Sequence, residues 1–79
     1  MAERLPVISS RDFERAVGRI GYRFDHATGS HRILRNETGA MLSVPFRREL
    51  AKGTLRKLIR HAGLEVSEFM DLYRGRRRP

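Results

Sequence analysis

The stretch YRFDHATGSHRILRNETGAMLSV, residues 22–44, decides the fold. Two glycine-bearing turns divide it into three short runs with strand character. Tyr22 to His26 alternates, with Tyr22 and Phe24 on one face and Arg23 and Asp25 on the other. Ala27-Thr28-Gly29-Ser30 is the first turn, and His31 to Arg35 is the second strand. Asn36-Glu37-Thr38-Gly39 is a hairpin turn with glycine at its end. Met41 to Val44 is the third strand, and Pro45 ends it because it has no N–H for a ladder. Turns this short join antiparallel neighbours, so an antiparallel sheet is expected. Ile33 and Leu34 are both apolar and point to opposite faces, so the pattern leaves open which face carries His31.

Helical patterns flank these strands. Before them, Phe13, Ala16, Val17 and Ile20 form one apolar stripe, which predicts a helix over about residues 10–20. Ser9 is placed to cap it, Asp12 to answer as a short capping box, and Gly21 to stop it. After the strands a loop, Phe46 to Ala51, leads to a second helix over about 53–62. Its buried stripe is Leu55, Leu58, Ile59 and Ala62, and Gly63 stops it. A short last helix, about 67–73, starts at Ser67 and buries Phe69, Leu72 and Tyr73. The order α-β-β-β-α with a further short α gives an α+β fold in which helices cover one face of the sheet. Residues 1–73 read as the single domain and 74–79, Arg-Gly-Arg-Arg-Arg-Pro, as a basic tail.

A chain of 79 residues has a modest core. It has no cysteine, so neither disulfides nor thiolate zinc sites hold it together. Its net charge is +8. Residues 1–40 carry seven basic and five acidic side chains, against ten and four in residues 41–79. Fifteen of the 17 basic residues are arginine, the side chain that grips phosphate in a fork and stacks on bases. Nucleic acid is therefore the leading partner class, ahead of an acidic protein. No apolar run approaches the ~20 residues of a membrane span, and Glu3, Arg4 and Pro6 interrupt any signal-like start. A cytoplasmic protein is expected. Asn36-Glu37-Thr38 then reads as turn chemistry and not as a glycosylation site.

His31 is the candidate for chemistry. An imidazole near a ribose 2′-OH can take its proton, and the oxyanion then attacks the adjacent phosphorus and expels the 5′ oxygen. RNA brings its own nucleophile, so no metal or other cofactor is needed. Gly29 allows close backbone approach, and Ser30 offers a hydroxyl and an N–H to a phosphate. Arg32 and Arg35 are candidate cations for charge growing at phosphorus. His26, across the turn, is the candidate second proton carrier. His61, near a helix end, fits as a complement to the helix dipole. No acidic cluster or cysteine completes a metal site beside the histidines, so no metal is expected.

Lys52, Arg56 and Arg60 recur every four residues and share a helix face, with Lys57 beside them. Gly53 and Thr54 set free N–H groups at that helix start, which favours phosphate. The row Arg11, Arg15, Arg19 on the first helix is offset by Asp12 and Glu14 and reads as a solvated face.

The order Leu5-Pro6-Val7-Ile8-Ser9, Ile20-Gly21-Tyr22, Gly29-Ser30-His31, Val44-Pro45, Lys52-Gly53-Thr54-Leu55-Arg56-Lys57-Leu58-Ile59 and Ala62-Gly63-Leu64 resembles the HicA toxins, from about residue 5 to 73. The resemblance implies a fold like that of double-stranded-RNA-binding domains and an endoribonuclease that cuts messenger RNA and halts translation. It implies His31 as the catalytic histidine and a HicB-like antitoxin as the protein partner that blocks the active surface. In double-stranded-RNA-binding domains the start of the last main helix holds phosphates across a groove, and Lys52, Arg56 and Lys57 occupy the equivalent place. The chain departs from the family at Arg32, where many members have an apolar residue or a second His. It departs again at Phe46-Arg47-Arg48, where many carry a His. The alternative expectations are a non-catalytic RNA-binding module of the same fold and a basic face that only docks an acidic partner.

Overall fold

The computed structural model describes residues 4–75. Its elements are α1 (Ser10–Gly18), β1 (Arg23–Thr28), β2 (His31–Arg35), β3 (Met41–Pro45), α2 (Lys52–His61) and α3 (Val66–Tyr73). The fold is α+β: a helix, a three-stranded antiparallel sheet in the order β1-β2-β3, then two helices.

The caps and turns explain where each element begins and ends. The Ser9 hydroxyl accepts the Asp12 N–H at 3.0 Å and starts α1. The Asp12 carboxylate does not return a bond to the cap; it takes the Arg15 guanidinium at 3.0 Å. The helix ends earlier than its stripe predicts. Val17 O accepts both Ile20 N and Tyr22 N, and Gly21, at φ +99°, donates to Gly18 O. This turn swings Ile20 outward, 40% exposed, and sends Tyr22 into the core in its place.

The β1–β2 turn is tighter than four residues. Thr28 pairs with His31, leaving Gly29-Ser30 as a two-residue loop. Gly29 at φ +54° holds the first central position, where this class of hairpin needs a left-handed residue. The β2–β3 turn falls at 36–39 as expected. Asn36 Oδ1 accepts from Thr38 N, Thr38 Oγ1 and Ala40 N, and so holds the whole turn.

The expected alternation of β1 fails. Every residue of Arg23–Thr28 is exposed, because β1 is an edge strand and its register shifts between Phe24 and His26. Phe24 sits opposite Leu34 but is 49% exposed, with the Arg32 guanidinium 4.1 Å from its ring centroid.

Pairing and burial resolve the faces of the sheet. Arg32 opposite Val44 and Leu34 opposite Leu42 face the helices, and Leu34, Leu42 and Val44 join the core. His31 opposite Pro45, Ile33 opposite Ser43 and Arg35 opposite Met41 form the other face. Ile33 is buried there, outside the main core cluster. The centre of that core is Phe13 of α1 stacked on Phe69 of α3, ring centroids 5.5 Å apart.

The last helix starts one residue before its predicted bounds, and Ser67 is not its cap. Glu65 is the N-cap, in a reciprocal box with Glu68, whose carboxylate accepts Glu65 N–H at 2.8 Å. Arg74 and Gly75, read from sequence as the start of the tail, close α3 as a turn. The rest of the expected tail, residues 76–79, lies outside the described residues. No helix among the described residues is long and apolar enough to cross a membrane.

Candidate active site

His31 begins β2 directly after the Gly29-Ser30 loop, so the tight turn fixes its backbone, and its side chain is exposed on the face away from the core. It stands between two hollows. One, of about 370 Å³, is lined by His31, Ser43, Pro45, Thr54, Lys57, Leu58 and His61. The other, of about 210 Å³, is lined by Ala27, Gly29, Ser30, His31, Arg32 and Phe46.

The first hollow joins β2 and β3 to α2. Thr54, Lys57, Leu58 and His61 follow helical spacing and share one face of α2. Leu58 is nearly fully buried, whereas Lys57 and His61 are exposed at the groove. The first turn of α2 has no side-chain cap, because Ala51 holds the N-cap position, so its backbone N–H groups are open to an anion. Two imidazoles, one ammonium and two hydroxyls therefore border a single groove, and one of those hydroxyls, on Thr54, belongs to the first turn of α2.

The other residues singled out from sequence lie elsewhere. Arg32 points to the helix side of the sheet, where its Nε and Nη2 hold the Glu14 carboxylate at 2.6 and 3.2 Å. Bound to Glu14 and covering Phe24, it is committed to structure, although it also borders the smaller hollow. Arg35 shares the His31 face but sits four strand positions away, about 13 Å, and pairs with Asp25 at 3.6 Å. The structure does not bring Arg35 to His31.

His26 pairs with Ile33 and so is a diagonal neighbour of His31 on the same face. Its Nδ1 is 2.6 Å from Asp25 Oδ2. That hydrogen bond, with Arg35 adding favourable charge, holds the Asp25 carboxyl below its usual value of 3.8. Lys52 lines a separate hollow with Arg4, Leu5, Pro6, Val7, Met70, Tyr73 and Arg74. Arg56 and Arg60 are exposed and fall on Lys52's side of α2 by their four-residue spacing. Thus of the basic residues on α2 read from sequence, Lys57 is the one at the His31 groove, with Thr54 beside it.

His61 is the residue that sequence reasoning missed as a companion of His31. Its signal was present: Thr54, Lys57 and His61 recur at i, i+3 and i+7. The stronger row Lys52, Arg56, Arg60 drew the reading to another side of the same helix, away from the His31 groove. Among the described residues no three His, Asp or Glu side chains come together as a metal site needs.

Fold and groove together define a small basic α+β domain with a histidine-lined cleft between sheet and helix. The family described as the HicA toxin of bacterial toxin–antitoxin systems matches residues 10–64, from the start of α1 to just beyond α2. The chain belongs to the HicA toxin family. No curated protein matches it. The match contains both hollows and their histidines and stops short of α3.

Proposed function

We propose that this toxin is a metal-independent endoribonuclease that cuts messenger RNA in the cytoplasm, with His31 and His61 dividing the proton transfers. The observation that carries the reading is that these two imidazoles line one groove beside Lys57 and the open first turn of α2. Its family membership supports the toxin role. The helix–three strands–helix order, like that of double-stranded-RNA-binding domains, supports an RNA partner.

The chemistry needs two proton carriers and a cation. One imidazole takes the 2′-OH proton, and the 2′ oxygen attacks the adjacent phosphorus. The P–O5′ bond breaks as the other imidazole gives its proton to the departing 5′ oxygen. The products are a 2′,3′-cyclic phosphate and a 5′-hydroxyl. Charge developing on the non-bridging oxygens is met by Lys57 and by the N–H groups at the start of α2. Gly29 and Ser30 set the backbone of His31, while Arg32 supports the site indirectly through Glu14. Lys52, Arg56 and Arg60 form a separate basic row on another side of α2, off the path of the strand. A HicB-like antitoxin that covers the groove would silence the enzyme.

The test is cleavage of a long mRNA in EDTA. Wild type is expected to cut it, and His31→Ala to abolish cutting with RNA binding retained. His61→Ala is expected to slow cutting by roughly 10²–10⁴-fold, the usual weight of one general acid or base. When sulfur replaces the scissile 5′ oxygen, the 5′ product departs as a thiolate as the P–S bond breaks and needs no proton. Such a substrate therefore restores the rate of whichever variant lacks the general acid. Loss of activity in EDTA that Mg²⁺ restores would overturn the metal-free mechanism. RNA binding without cleavage by wild type would make this a binding module, and undiminished cutting by His31→Ala would move the chemistry elsewhere.

A further inference from the structure

Phe46 is the most exposed large apolar side chain among the described residues, at 66%. Phe24, the other exposed aromatic ring, already carries the Arg32 guanidinium on its face. Phe46 has no such cover, yet its backbone is fixed on both sides. Its N–H donates to Ser30 O at 2.8 Å, which ties it to the turn preceding His31. The next residue, Arg47, exchanges hydrogen bonds with buried Ser10: Ser10 N and Oγ donate to Arg47 O, and Arg47 N donates to Ser10 Oγ. A backbone anchored on both sides thus presents a bare aromatic ring to solvent.

The ring also lies where two hollows meet. It closes the 210 Å³ hollow that contains His31, and it borders a second one, of about 480 Å³, lined also by Ser9, Ser10, Arg11, Arg47 and Arg48. Among the described residues Arg11, Arg47 and Arg48 make no ion pair, whereas Arg15, Arg32 and Arg35 each do. Arg47 Nη1 donates to Phe46 O at 3.2 Å, which holds that guanidinium beside the ring's own backbone. Along the surface the order is therefore proton carrier, aromatic ring, guanidinium groups with no carboxylate partner among the described residues. That sequence of groups matches a single-stranded polynucleotide, which offers in turn a reacting phosphodiester, a base face and the next phosphate.

We propose that Phe46 is a stacking platform for one unpaired RNA base next to the nucleotide at His31, with Arg11, Arg47 and Arg48 holding the adjoining phosphate. The site then selects single-stranded RNA, because a base in a duplex has no free face for the ring. The proposal rests on the ribonuclease reading only for the identity of the neighbouring bond; the stacking subsite stands on its own geometry. Since the side chain is exposed, changing it leaves the core untouched.

The probe is a short fluorescein-labelled 2′-O-methyl oligoribonucleotide, which lacks the attacking hydroxyl and so survives the wild-type enzyme. Phe46→Ala is expected to weaken its binding roughly five- to hundredfold, the fold-change that one base–aromatic stack is worth. Phe46→Tyr should bind as wild type does, and the matching duplex should bind equally to all three. The chain contains no tryptophan, so Phe46→Trp places a single indole at the site, and its emission should be quenched by the single strand but not by the duplex. Unchanged binding by Phe46→Ala, or an indole that the strand does not quench, overturns the proposal. So does loss of affinity for an antitoxin alone, which would assign the ring to a protein partner. Weakened binding by Phe46→Ala together with undiminished cleavage by His31→Ala would uphold the platform while removing His31 from catalysis.

Discussion

Asp25 and His26 show how a sequence neighbour sets the surroundings of a titratable group. His26 lies one strand over from His31 on the same face, yet its Nδ1 is engaged by Asp25. The Asp25 pKa is lowered chiefly by that hydrogen bond and further by Arg35. A depressed carboxylate pKa contributes stability above the unfolded value and loses it as pH falls through the folded one. The contribution is therefore present at neutral pH and fades only below the usual aspartate value of 3.8. NMR titration of the Asp25 carboxyl carbon should give a midpoint below 3.8 in wild type, returning toward it in His26→Ala. A midpoint that ignores the substitution would show that Arg35 and not His26 sets it. The placement of His31 on the outer face, by contrast, was beyond the pattern of β2. Ile33 and Leu34 are both buried, and only pairing with β3 shows that Leu34 belongs to the core. The carboxylate partner of Arg32 was out of reach for a related reason. Nothing in the arginine's own neighbourhood announces Glu14, which lies 18 residues earlier on α1.

At the scale of elements, local signals served well where one residue governs a boundary and poorly where two compete. Ser9, the Asn36 turn and Gly63 each held their expected roles. At α3, Ser67 had the better intrinsic capping chemistry, but Glu65 wins because Glu68 stands three residues on and closes a reciprocal box. In β1 the extra residue at the register shift broke an alternation that had looked regular over five positions. The box has an energetic consequence. A helix of eight residues does not persist alone, so α3 depends on its cap and on the burial of Phe69, Met70 and Leu72. Glu65→Ala should cost about 1 kcal/mol of unfolding free energy, whereas Ser67→Ala should cost almost nothing. Urea denaturation of the two variants decides it, and equal losses would mean that the box contributes no stability. Because α3 carries the Phe69 ring that stacks on Phe13, weakening it also loosens α1, and with it the Glu14 that anchors Arg32.

At the scale of the whole molecule, the excess of basic side chains was plain from composition, but which of them act together was not. Charge adds up to +8 wherever the arginines sit, whereas counterion release depends on how many lie along the path of the bound strand. Two paths are distinguishable. One follows Lys52, Arg56 and Arg60 down the outer side of α2. The other runs from Lys57 past His31 and Phe46 to Arg47, Arg48 and Arg11. The second connects three adjoining hollows, and the first leads away from both candidate proton carriers. With about four phosphates neutralised on the second path, the logarithm of the binding constant for single-stranded RNA should fall with the logarithm of salt at a slope near −3. Lys57→Ala should make that slope shallower by about 0.7, the share of one phosphate, and so should Arg48→Ala. The double substitution Arg56→Ala, Arg60→Ala should leave the slope unchanged while lowering the net charge by two. If the double variant flattens the slope and the Lys57 variant does not, the strand follows the outer side of α2. The groove shared by His31 and His61 would then lie off the RNA path, and the catalytic assignment would fall with it.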